Sequence, residues 1–149
     1  LPILTHAERS LQLERYPLLR NDPLQPWDAA DEYLLAAITE EGVSPSSVLI
    51  VNDGFGALAT ALHDLGPVTW SDSHLSRLAL EQNLELNGLS SGGVSFVPGD
   101  TSPAGAFDLV LLKLPKSLGW LADSLRMLRP SLAPGARVIA GGMIKHTPG

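Results

Sequence analysis

Hydrophobic residues follow two alternating rhythms along this chain. Short apolar runs, "VLIV", "VTWSD", "VSFV", "FDLVLLK" and "ARVIAG", read as strands. The first is continuously apolar, as expected for a strand covered on both faces of a parallel sheet. Segments with helical spacing alternate with them. "WDAADEYLLAAITEEG" places Trp27, Ala30, Leu34, Ala37 and Ile38 along one side of a helix that Gly42 ends. "GALATALHDLG" predicts a helix closed by Gly66. Ser73 is the expected N-cap of "HLSRLALEQNLELNG", with Leu75, Leu78, Ala79, Gln82 and Leu86 on one face. "SLGWLADSLRMLRP" aligns Leu118, Leu121, Leu125 and Leu128, with Trp120 beside that stripe. Strand and helix alternating in this way predict an α/β fold: an open, mostly parallel sheet with helices on both faces and core strand order 3-2-1-4-5.

Residues 1–26 form an arm ahead of this pattern, and residues 27–149 form the domain. In the arm, Leu11 and Leu13 stand two apart, which suits a short strand. Leu11, Arg15 and Leu18 also fit a helix, and Pro17, Pro23 and Pro26 break the rest of the arm into loop. The chain starts at Leu1 and runs only a short way past the fifth strand, so it reads as a fragment of a longer protein, cut short after that strand.

Composition narrows the function. A chain of 149 residues, 44% hydrophobic and 17% charged, suits one domain with a real core. No apolar run approaches the ~20 residues of a membrane helix, so no membrane partner is expected. With no cysteine, disulfides, thiolate metal sites and a cysteine nucleophile are excluded, which fits a cytoplasmic location. His6, His63, His74 and His146 are scattered without ligand spacing, so no metal site is expected. Only His74 falls near the sheet edge where ligands bind. Asp31 and Glu32 are helix neighbours that point apart, which is unsuited to paired-carboxylate catalysis. Ser46 and Ser47 lack the glycines of a nucleophile elbow. A formal net charge of −6 argues against nucleic-acid binding through overall charge and leaves a local basic patch to be argued separately.

The turn after the first core strand carries the candidate chemistry. Gly54-Phe55-Gly56-Ala57-Leu58-Ala59 fits the G-x-G-x-x-G/A pattern, between a strand and a helix. Asp72 follows the next strand, where an acid can bond ribose hydroxyls. These residues allow a dinucleotide, S-adenosylmethionine or no ligand, because glycines here also turn the chain and let a helix pack closely.

The wider spacing, "VLIVNDGFG", "VTWSDS", "VSFVPGD", "FDLVLLKLPK" and "LRPSLAPGARVIAGG", resembles the Rossmann-like, S-adenosylmethionine-dependent methyltransferases. "PLQPWDAADEYLL", "NDGFGALATAL", "EQNLELNG" and "LLKLPKSLGWL" are similar to the N-terminal half of bacterial two-domain large-subunit rRNA guanine-N2 methyltransferases. The resemblance covers the chain from about Leu11 onward. It implies a C-terminal catalytic domain in the same polypeptide, S-adenosylmethionine bound there, ribosomal RNA as substrate, and an N-terminal copy that is degenerate. It assigns Asp72 to the ribose position and Asp100 to the adenine position. A working loop of the family reads acid-x-Gly-x-Gly-x-Gly. Here Ile50 stands for the acid and Asn52 for the first glycine, and Asp53 adds a negative charge where a methionine carboxylate would lie. The family's Asn-Pro-Pro-aromatic motif is matched by Lys113-Leu114-Pro115-Lys116, which has neither the acceptor nor the ring.

The expectation is therefore a non-catalytic methyltransferase-like domain that holds no cofactor itself, supports a catalytic C-terminal domain and helps place RNA. Two alternatives stay open. The domain could still bind S-adenosylmethionine or another nucleotide through Gly54, Gly56, Asp72 and Asp100, or it could be a pure scaffold. The chain has only three lysines, Lys113, Lys116 and Lys145, all after the fourth and fifth strands. They are either RNA phosphate contacts or ion-pair partners for Asp53, Asp72 and Asp100. Arg126 and Arg129 suit a helix C-terminus, and Arg9, Arg15 and Arg20 could form a second basic site.

Overall fold

A computed structural model describes residues 3–6, 9–14, 27–41, 47–71, 73–98, 101–114 and 118–141. The arm opens with an antiparallel hairpin, β1 (Ile3–His6) and β2 (Arg9–Gln12). Then come α1 (Ala29–Glu41), β3 (Val48–Val51), α2 (Ala57–Ala61), β4 (Val68–Ser71), α3 (His74–Leu86), β5 (Ser95–Pro98), β6 (Phe107–Lys113), α4 (Leu118–Leu128) and β7 (Leu132–Gly141). The main sheet has five parallel strands in the order β5-β4-β3-β6-β7. Numbered from β3, that order is 3-2-1-4-5.

β3 lies at the centre, and all four of its residues are buried. Its side chains alternate between two cores. Val48 and Ile50 join Leu109 and Leu111 of β6 against α1, α2 and α3. Leu49 and Val51 join Trp70, Val110, Leu112 and Leu128 on the opposite face.

The described part of the arm shares the first core. Leu4, Leu11 and Leu13 are buried in it. At about 1.5–3 kcal/mol for each fully buried leucine, three such side chains hold the hairpin firmly. Two side-chain amides, one on α3 and one at its C-cap, complete the docking. Asn83 Oδ1 accepts from the Glu14 N–H at 2.8 Å, while its Nδ2 donates to the Glu14 carbonyl at 3.0 Å. Asn87 does the same for Gln12, at 2.9 and 2.7 Å. Each amide thus pairs with the arm's backbone much as a neighbouring strand would.

Four details depart from the sequence expectations. α2 is short, and a 3-10 turn over His63–Leu65 leads to Gly66, which takes the left-handed closing conformation. The buried line of α3 is Ser76, Ala79, Leu80, Asn83 and Leu84, whereas Leu75 is 52% exposed. Two polar residues lie in that line, which hid it from a hydrophobicity pattern. On α4, Leu125 is 44% exposed, and Ser124 and Leu128 face inward; one residue step rotates about 100° around a helix. β7 begins at Leu132 rather than Ala136, with Gly135 at φ 76 within the segment where the β6–β7 register shifts.

Candidate functional site

The glycine turn sits at the carboxyl edge of the sheet, where β3, β4 and β6 end together. Asn52 adopts a left-handed backbone, φ 64, which asparagine tolerates better than most residues. Its N–H donates to the Trp70 carbonyl at 3.1 Å, and its Nδ2 donates to the Lys113 carbonyl at 3.2 Å. One residue thus ties three strand ends. Gly56 caps α2 at φ 82, and a Cβ there would come within 2.7 Å of the Leu80 Cα. Gly56 is needed for chain direction and for close packing of α2 on α3. A Cβ on Gly54 would meet nothing within 4 Å.

Asp53 is buried beside this turn. Its carboxylate accepts from the Leu58 N–H at 3.2 Å and the Ala59 N–H at 2.9 Å. Those free donors at the start of a helix are the groups that would otherwise hold an anion. Here the Asp53 carboxyl takes them.

Lys113, at the end of β6, reaches into the same region. Its Nζ lies 3.1 Å from Asp31 Oδ1, 3.2 Å from Asp31 Oδ2 and 3.5 Å from Asp28 Oδ2. Its side chain is 17% exposed and that of Asp31 only 2%. The two acids also build the start of α1. The Asp31 N–H donates to Asp28 Oδ1 at 3.1 Å, and the Asp28 N–H donates to Asp31 Oδ2 at 3.0 Å, a reciprocal cap across Asp-x-x-Asp.

Burial and the Lys113 ammonium act in opposite directions on Asp31 and Asp53. Burial raises the Asp31 carboxyl to about 6; Lys113 opposes that rise, and the Asp53 charge adds to it. Burial also raises Asp53, against the opposing pull of the Ala59 N–H, Lys113 and the Leu58 N–H. Burial works against the Lys113 charge, but Asp31, Asp28 and Asp53 outweigh it and hold the ammonium above the ordinary lysine value.

The other sequence candidates are distributed as follows. Ile50 is fully buried in the core. His74 is exposed at the first position of α3. Asp72, Asp100, Lys116 and Lys145, expected at this edge, and Arg15 and Arg20, expected in a second basic site with Arg9, lie outside the described residues. Lys113 meets Asp31 and Asp28 directly, and Asp53 acts on it through charge. Arg9 pairs with Asp64 at 2.8 Å, and Arg126 pairs with Asp123 at 2.9 Å. Among the described residues no group of three or more acids and histidines could hold a metal, and no helix is long and apolar enough to cross a membrane. The sequence reading missed the parts played by Asp28, Asp31 and Asn83. Asp-x-x-Asp ahead of an apolar helix was the available signal for the first two.

Residues 2–149 match the family described as RLMG N-terminal domain. The chain is 49% identical over 150 aligned positions to Ribosomal RNA large subunit methyltransferase G of Ectopseudomonas mendocina, with 99% of this chain and 40% of that protein covered. It is 51% identical to the protein of the same name from Stutzerimonas stutzeri, with the same coverage. The chain thus spans about 40% of the length of these curated relatives. Among solved structures, ribosomal protein L11 methylase of Lactobacillus delbrueckii subsp. bulgaricus superposes with a TM-score of 0.61 at 28% identity, over 74% of this chain and 58% of that one. N-methyltransferase NodS of Bradyrhizobium japonicum, in complex with S-adenosyl-l-homocysteine, shares the fold with a TM-score of 0.60 at 16% identity, over the same shares.

Proposed function

The chain belongs to the RLMG N-terminal domain family, and we propose that it is the non-catalytic half of a cytoplasmic rRNA guanine-N2 methyltransferase. In this reading S-adenosylmethionine binds in a C-terminal catalytic domain of the same polypeptide. This half supports that domain and helps place ribosomal RNA.

The observation that carries the reading is the Asp53 carboxylate on the Leu58 and Ala59 N–H groups. A methyl donor brings a methionine carboxylate to a turn of this kind. Here that carboxylate would meet Asp53 and Asp31, both buried, where like charges are costly. Ile50 offers no acceptor to the donor's ammonium. The Lys113 ammonium, three hydrogen-bond donors with no acceptor, stands at the matched catalytic position and is engaged by two acids. The residues present do not fit S-adenosylmethionine, and no methyl-transfer step runs through them.

The RNA-placing role falls chiefly to Lys116 and Lys145, because Lys113 and Arg9 already face carboxylates. Calorimetric titration of S-adenosylmethionine into the folded chain tests the reading. No heat of binding is expected up to millimolar ligand. Micromolar affinity would favour retained binding through Gly54, Gly56, Asp72 and Asp100.

A further inference from the structure

A groove of about 550 Å³ runs along the full length of β1, between that strand and α1. The hairpin sheet has two strands, so the outer edge of β1 has no strand partner among the described residues. Across the groove stand Trp27, Leu35 and Ala36, with Thr39 and Glu40 at one end. Leu35 is buried, whereas Ala36 and Glu40 are exposed, and Ile3 on the strand side is 55% exposed. A free strand edge beside a groove floored by Trp27, Leu35 and Ala36 and rimmed by Glu32, Thr39 and Glu40 is an arrangement that accepts an extended peptide as an added strand. Backbone hydrogen bonds supply affinity, and alternate side chains supply selectivity.

We propose that this groove receives an extended segment from the remainder of the longer polypeptide, which adds to β1 as a third strand. That segment sets an apolar side chain beside Trp27 and Ala36 and a basic one beside Glu40. Three observations favour this occupant. The relatives are long enough to supply it, since the chain spans 40% of them. The charge at the groove has one sign, because among the described residues its only ionisable side chains besides His6 are Glu32 and Glu40. His6 is held below its ordinary value by burial and then by the nearby Arg9 charge, so it adds no cation at neutral pH. Finally, β7 ends against another side of α1, within reach of the groove for the chain that follows. A Cβ on Gly141, its last residue, would lie 3.2 Å from Tyr33 and 3.4 Å from Leu34, on the helix that forms the groove wall. The next residues, 142–149, reach up to about 26 Å when extended, more than the roughly 20 Å length of α1.

The test uses the full-length protein with a photo-crosslinking p-benzoylphenylalanine at position 36, an exposed site on a helix. Mass spectrometry of the illuminated monomer is expected to place the cross-link within one short run of residues beyond 149. Glu40→Lys replaces attraction by repulsion, a change of about 1 kcal/mol, and is expected to lower the yield about fivefold. The same crosslinker at Leu75 on α3 should not capture that run. Cross-links to a second copy, to scattered residues or to none would overturn the proposal, as would a yield indifferent to Glu40→Lys in a protein of unchanged thermal stability. The groove and the relatives' length carry the proposal, so it can fail while the loss of methyl-donor binding stands, and the reverse.

Discussion

Replacing Lys113 by methionine removes one charge and keeps most of the side-chain volume. If Lys113 neutralises a buried acidic group, the loss should be large. Its ammonium lies 3.1 and 3.2 Å from the two oxygens of Asp31, which is 1% exposed. Removing one partner of such a pair costs about 3–5 kcal/mol, because the other charge stays buried without compensation. The lower end applies here, since Asp31 already titrates near 6 and can take up a proton. A loss of about 3 kcal/mol lowers the melting temperature by roughly 6–12 °C for a chain of this size. Protonation of Asp31 also predicts a smaller loss at pH 5 than at pH 7.5. Asp31→Asn in the Lys113→Met background should recover part of the stability. Thermal unfolding by circular dichroism at both pH values measures all three effects. A change within about 0.5 kcal/mol, the ordinary range for surface substitutions, would refute the reasoning and return Lys113 to solvent as a free cation.

Asp31 alone makes a second prediction. A carboxyl raised in the folded protein lends stability that is full below its unfolded value, 3.8, and is lost as pH rises through about 6. That interval is worth about 3 kcal/mol at 1.36 kcal/mol per pH unit, so wild type minus Asp31→Asn should lose stability by up to that amount between pH 4 and pH 7. A flat difference across that range would contradict the burial argument. Asn83→Ala removes three hydrogen bonds, two to Glu14 and one to the Phe55 carbonyl. It is expected to cost about 3 kcal/mol and to expose the arm to limited proteolysis, at about 1 kcal/mol per bond. Gly56→Ala should destabilise by more than about 2 kcal/mol through its left-handed backbone and the Leu80 clash, while Gly54→Ala stays within about 0.5 kcal/mol. Equal effects in denaturant titrations would remove the distinction between the two glycines.

The sequence disclosed the elements through period. Continuous apolar runs gave the sheet strands, Ser73 marked the α3 N-cap, and its Oγ accepts from the Ser76 N–H at 3.2 Å. The glycine turn was also visible, because Ile50, Asn52 and Asp53 are local facts. What those residues do was not visible. The partner of Asp31 is 82 residues away, and no local pattern announces that a helical aspartate will be buried by a strand-end lysine. Asn83 and Asn87 look like the polar face of a helix in sequence. Their partners in the arm are 69 and 75 residues away, so the docking emerges only when the hairpin folds onto α3. The α4 stripe failed for a related reason: a small buried serine, Ser124, occupies the line where a leucine was expected.

The proposed function requires that this domain hold no methyl donor of its own. Counting cofactor sites tests it most directly. Equilibrium titration of S-adenosylmethionine into the full-length protein is predicted to saturate at one ligand per chain, in the proposed C-terminal domain. Lys113→Met and Asp53→Ala should leave that number at one. Two ligands per chain in the wild-type protein, with one lost on disrupting Gly56, would contradict the account.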